Sequence, residues 1–131
     1  MPLIRQLQWQ ELDVLQGLEG VPVEDANGGL HFRVRHEGLM LLVSLWSELG
    51  MVDLTLVQTT TEAILLDLTV AVRGRIRYNN DKRGQYLEFA DCVLVNRLTL
   101  SDEQLDAAFS PNLLGRTLLL SVKPHISLLF E

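Results

Sequence analysis

From Ile64 to Tyr78 the chain keeps one parity apolar over fifteen positions, broken only at Gly74, while the other is mostly polar apart from Leu65 and Ala71, and few backbones can absorb that pattern. Ile64, Leu66, Leu68, Val70, Val72, Ile76 and Tyr78 share one parity; Asp67, Thr69, Arg73, Arg75 and Arg77 share the other. A period of two belongs to a strand with one buried face, and Gly74 marks a bend or close approach within it. A second run, Tyr86 to Val95, carries Leu87, Phe89, Val93 and Val95 on one parity, interrupted by Asp91. Their pairing follows from elementary geometry. Apolar faces must coincide, so partners must sum to an odd number. A sum of 165 sets Tyr78 against Leu87, Ile76 against Phe89, Arg77 against Glu88, Val72 against Val93 and Val70 against Val95. It also places Asp91 opposite Gly74, where no side chain competes. Asp81-Lys82-Arg83-Gly84 is then the hairpin loop, with Gly84 suited to a positive φ.

The same reasoning extends along the chain. Leu30, Phe32 and Val34 alternate with His31, Arg33 and Arg35 after the turn Asn27-Gly28-Gly29, which predicts another half-buried strand. Leu39 to Trp46 is apolar on both parities; bracketing glycines and the alternation of Val52, Leu54 and Leu56 favour a strand over a short helix. Ser101 and Gln104 form a capping box, Leu105, Ala108 and Phe109 an apolar stripe, and Ser110-Pro111 a stop, so one short helix is expected near 101–109. Thr117 to Val122 and Ile126 to Phe130, separated by Lys123-Pro124, read as strands. Residues 3–18 fit either a strand (Leu3, Leu7, Trp9) or a helix (Leu7, Val14, Leu15, Leu18). The expected fold is therefore a single all-β domain over 1–131, an antiparallel sandwich or jelly-roll-like barrel with one short helix.

Chemistry is harder to find. Cys92 is the only cysteine, which excludes an internal disulfide and suits a cytoplasmic setting. No secretory leader is expected from MPLIRQLQWQELD, and the longest apolar run, Leu39 to Val43, is too short to span a bilayer. His31 and His36 lie five apart on a strand and face opposite sides, with His125 distant in sequence, so neither a metal nor a cofactor is expected. The loop from Asn79 to Gly84 resembles a calcium loop only superficially, because Ala90 stands where a bidentate glutamate belongs. There is no nucleophile elbow and no glycine-rich phosphate loop; catalysis is not expected.

Charge leaves one question open. Arg73, Arg75 and Arg77 line one strand face, with Lys82 and Arg83 at the hairpin tip, in a chain of net charge −6. Adjacent like charges repel and need compensation from carboxylates, a partner or a ligand. Arg33 and Arg35 form a similar pair, and adjacent strands would give a five-arginine face. Nucleic acid is not expected on it, given the acidic total and 6% aromatic content. Met40, Leu42 and Trp46 pose the complementary problem of an apolar face with no assigned cover. A soluble, non-enzymatic binding or assembly module follows, acting through sheet surfaces on a protein partner or as a homo-oligomer, with Arg73, Arg75, Arg77, Arg33 and Arg35 as candidate contacts. The alternative is a barrel holding, or acting on, a small anionic ligand in an apolar cavity with arginines at its mouth.

Overall fold

A computed structural model describes residues 6–18, 22–24, 26–123 and 125–131. The expectations for Leu3 and Pro124 lie outside the described residues. The elements are α1 (Glu11–Leu18), β1 (Val23–Glu24), β2 (Gly29–His36), β3 (Leu39–Trp46), β4 (Met51–Gln58), β5 (Ile64–Val72), β6 (Ile76–Asp81), β7 (Gly84–Leu94), α2 (Asp102–Ala108), β8 (Arg116–Ser121) and β9 (Ser127–Phe130). The described strands join one nine-stranded antiparallel sheet, ordered β1-β2-β3-β4-β5-β7-β8-β9, with β6 also paired to β7. The all-β reading with a short helix near 101–109 is what the protein adopts. A jelly roll needs two sheets linked by crossovers; the described strands instead form one sheet in meander order. No helix among the described residues is long and apolar enough to cross a membrane.

Alternation decides which side of the sheet is the core. Phe32, Leu41, Val43, Leu45, Val52, Leu54, Val70 and Val72 are all at most 1% exposed, and they lie in register across β2 to β5. Ile76, Leu87, Phe89, Leu118 and Leu120 continue that core through β6, β7 and β8. Each such side chain contributes roughly 1.5–3 kcal/mol by leaving water. The sheet curls far enough for Glu37, in the β2–β3 turn, to meet His125, between β8 and β9.

The N-terminal segment forms a helix, preceded among the described residues by an isolated bridge from Gln8 to Arg75 and not by a strand. Leu7 to Gln10 runs extended beside β6, where Gln8 O accepts from Ile76 N at 2.9 Å and Leu7 N donates to Ser47 O at 2.9 Å. Then α1 begins, with Glu11 and Asp13 in its first turn favouring the positive helix end. Its Val14 and Leu18 enter the core, and Gly17 lies so flush on β7 that a Cβ would stand 2.4 Å from Leu87 Cγ. The second helix covers the opposite side of the sheet. Leu105, Ala108 and Phe109 bury Met51 and Ala71 in a smaller cluster joined by Trp46, Val93 and Val95. Its start is as expected, with Ser101 Oγ accepting from Gln104 N at 3.2 Å.

The β6–β7 register is 165 from Ile76↔Phe89 to Asp81↔Gly84, including Arg77↔Glu88. The ladder thus leaves only Lys82-Arg83 as the loop, with Gly84 at φ 102. Past the bend the sum becomes 164: Val72 pairs with Cys92 and Val70 with Leu94, not Val93 and Val95. The cause is a bulge. Arg73 N donates to Asp91 O and Gly74 N to Ala90 O, both at 3.0 Å, so two residues stand against Asp91, which adopts φ 55. Gly74 is required there, because a Cβ would lie 2.7 Å from that of Ala90. A slip of one residue exchanges faces. Cys92 therefore enters the core, while Val93 and Val95 turn outward beneath α2.

Candidate functional site

The three arginines of the ladder have three different environments. Arg73 is drawn inward by the bulge, its side chain 11% exposed. Its Nη2 donates to Asp91 Oδ1 at 2.6 Å and to Leu113 O at 2.7 Å, and its Nη1 to Ser110 O at 2.6 Å. Gly115 completes the fit, since a Cβ would fall 1.9 Å from Asp91 Oδ1. Arg73 thus ties the segment after α2 to the bulge. Arg75 and Arg77 remain exposed, with no ion pair among the described residues. They flank an open, largely polar cleft of about 580 Å³ against Gln8, Trp9, Gln10 and Asp13.

At the hairpin tip, Arg83 folds back. It pairs with Glu131 at 2.8 Å, stacks 4.8 Å from the Tyr86 ring centre and donates to the Tyr86 hydroxyl at 2.5 Å. That hydroxyl donates to Asp81 Oδ2 at 2.7 Å. This bond first, then the Arg83 backbone N–H, holds the Asp81 carboxyl below its ordinary value. The hydrogen bond to Asp81 in turn raises Tyr86.

Arg33 and Arg35 lie elsewhere. They are on β2, separated from β5 by β3 and β4, so the five-arginine face does not form by strand adjacency. They belong to the outer face of β2, β3 and β4. Register sets three rows across it: His31–Ser44–Asp53–Thr69, then Arg33–Leu42–Thr55–Asp67, then Arg35–Met40–Val57. The first row is tied together. His31 Nδ1 and Ser44 Oγ share a hydrogen bond of 2.7 Å, and His31 meets the Trp46 ring edge-on at 5.5 Å. Asp53, only 8% exposed, accepts from Thr69 Oγ1 at 2.5 Å and from Trp46 Nε1 at 3.0 Å. Arg97 reaches over from the segment after β7, standing 3.7 Å from Asp53 and 2.7 Å from Asp67.

Asp53, Thr69 and Arg97 were not singled out by sequence reasoning, although the parity of Val52 and Leu54 does put Asp53 on the outer face; Trp46 was, but only as an apolar residue in need of cover. What buries Asp53 is Arg97 and the α2 cluster, which are tertiary. The cover stops there. Met40, Leu42 and Val57 are only partly buried, with Arg33 and Arg35 exposed at one margin and Val23 at 68% and Ile64 at 64% exposed beyond. A hollow of about 530 Å³ opens between Val23, His31, Arg33, Leu42 and Ser44. The apolar residues of β3 therefore have two fates: Trp46 lies under α2, while Met40 and Leu42 lie on an open face.

Cys92 offers no nucleophile. Burial is the main cause that pushes its thiol up to about 12 from 9.0, and its Sγ–H donates to Phe89 O at 3.2 Å. Native protein at pH 8 is expected to resist iodoacetamide, and urea-unfolded protein to take up one equivalent; rapid native labelling by mass spectrometry would contradict the buried position. Above pH 9 an unfolded thiol ionises while the folded one keeps its proton to about 12, so this group lowers stability as pH rises across that interval.

No family model matches the sequence, and no curated protein matches it. Among solved structures, a chain of the contact-dependent growth inhibition toxin–immunity protein complex from Klebsiella pneumoniae 342 shares the fold. The TM-score is 0.68 at 15% sequence identity, and the match covers 98% of each chain.

Proposed function

We propose that this chain is a non-enzymatic protein-binding module of the immunity kind, which neutralises a toxin domain by covering it with the outer face of β2, β3 and β4. The observation that carries the reading is the fold match over 98% of both chains to a member of a toxin–immunity protein complex. The lone cysteine is buried, which weighs against a cysteine-based toxin activity. The outer face supports the immunity reading further. It offers Met40, Leu42 and Val57 as an apolar centre, with Arg33 and Arg35 beside them as directional donors; a central apolar patch with arginine anchors is how small interfaces concentrate their energy. A soluble, cytoplasmic module fits that role.

The test is co-expression with growth-inhibiting toxin domains of the chain's own organism. One of them should be neutralised and co-purify at equal stoichiometry, and Arg33→Glu or Arg35→Glu should each weaken that complex about tenfold or more. Failure of every such domain to bind, or binding unaffected by both reversals, would remove the reading. A second copy of the chain is the other possible occupant. Light scattering at tens of micromolar assigns the face to self-association if the chain alone is a dimer that Arg35→Glu dissociates. The small-ligand alternative rests on the cleft between Gln8 and Arg77, and phosphate binding abolished by Arg75→Met would favour it.

A further inference from the structure

We infer that His36, Glu37 and His125 form a transition-metal site that clasps the β2–β3 turn to the β8–β9 connection. Strand parity separates His31 from His36, but the curl of the sheet brings His125 to His36. Glu37 sits between them: Oε1 is 3.8 Å from His36 Nε2, and Oε2 is 3.7 Å from His125 Nδ1. The ligand atoms of the three residues all lie within 4.8 Å of one another. Those separations are too long for hydrogen bonds. They are close to what one shared ion demands, because donors about 2.1 Å from a tetrahedral zinc lie roughly 3.4 Å apart. Two imidazoles and one carboxylate suit Zn²⁺ and its neighbours, whereas Mg²⁺ and Ca²⁺ require oxygen donors. The fourth position faces solvent and would take water.

A second observation concerns the backbone. Glu37 has φ 50 and Gly38 φ 78, so both central residues of the two-residue turn between paired His36 and Leu39 are left-handed. Asparagine, aspartate or glycine is the usual first residue of such a turn, and glutamate is a strained choice. That strain holds the Glu37 carboxylate between the two imidazoles. Strain maintained at one place points to a use for that place.

The inference does not depend on the binding function proposed above, and its test needs no partner. Thermal melts of the full chain, freed of metal with EDTA, are compared with and without zinc chloride. At a tenfold excess of zinc over its dissociation constant, the melting temperature should rise by about 4 °C. Magnesium should leave it unchanged. His125→Ala should abolish the zinc shift while folding normally, since its side chain is 74% exposed. Glu37→Asn should also abolish it, and should raise the metal-free melting temperature because asparagine accepts the turn. A missing zinc shift, a shift that persists in His125→Ala, or one accompanied by zinc-dependent dimerisation would each overturn the site.

Discussion

Replacing Arg73 with methionine is expected to destabilise the protein by about 3 kcal/mol, while the same change at Arg75 or Arg77 stays within about 0.5 kcal/mol. At this chain length the first effect lowers the melting temperature by roughly 10 °C. Methionine fills much of the volume but donates nothing. It strands the carbonyls of Ser110 and Leu113 and leaves Asp91, held at φ 55, without its guanidinium. Part of that loss is recovered by water, because Asp91 is 49% exposed and rehydrates. Lysine should rescue little, since one ammonium cannot reproduce the fork that reaches three acceptors. Urea titrations of the three variants decide the matter. Equal losses at Arg73, Arg75 and Arg77 would mean that the ladder acts as a unit and that Arg73 has no separate structural role.

Asp53→Ala should cost a comparable amount, about 3 kcal/mol. Its carboxylate is the common acceptor for Trp46 Nε1 and Thr69 Oγ1, and it faces Arg97. Truncation leaves two donors unpaired in a nearly dry place; Arg97 suffers less, because it is 47% exposed and keeps Asp67. Asp53→Asn retains an acceptor for at least one of the donors, and should lose no more than half as much. Circular dichroism melts measure both, and near-ultraviolet dichroism should report the freed Trp46 indole in the alanine variant alone. An alanine variant as stable as the parent would show that the tied row contributes nothing to the fold.

These two positions also mark where sequence reasoning stops. Alternation placed the core parity correctly on β2, β4 and β5, since a half-buried strand has no other way to satisfy its apolar residues, whereas β3 is apolar on both parities and gave no such signal. The pairing rule gave Ile76↔Phe89 and Arg77↔Glu88 from residue numbers alone. It failed two residues beyond Asp91, because a bulge changes parity and leaves only weak traces, here a glycine and an acidic residue on an apolar face. That failure is the reason Cys92 and Val93 exchanged sides. The arginines were legible as a row but not as individuals: parity tells which face a side chain takes, not how deep it sits. Depth depends on what covers the face, and for Arg73 and Asp53 that is supplied by segments near residues 97 and 110–115. The meeting of His36 and His125 is invisible for the same reason, because it depends on the curvature of the whole sheet.

The outer face of β2 to β4 has a bearing on how such a chain can diverge. Arg33, Arg35, Met40, Leu42, Thr55 and Val57 occupy every second position on their strands, and the positions between them are committed to the core. Phe32, Leu41, Val43 and Leu54 take the opposite parity and are buried in the core. Substitutions confined to one parity therefore alter this outer face while the folding signal in the other parity stays intact. A chain built on this meander can exchange the residues of that face one by one while its core stays unchanged.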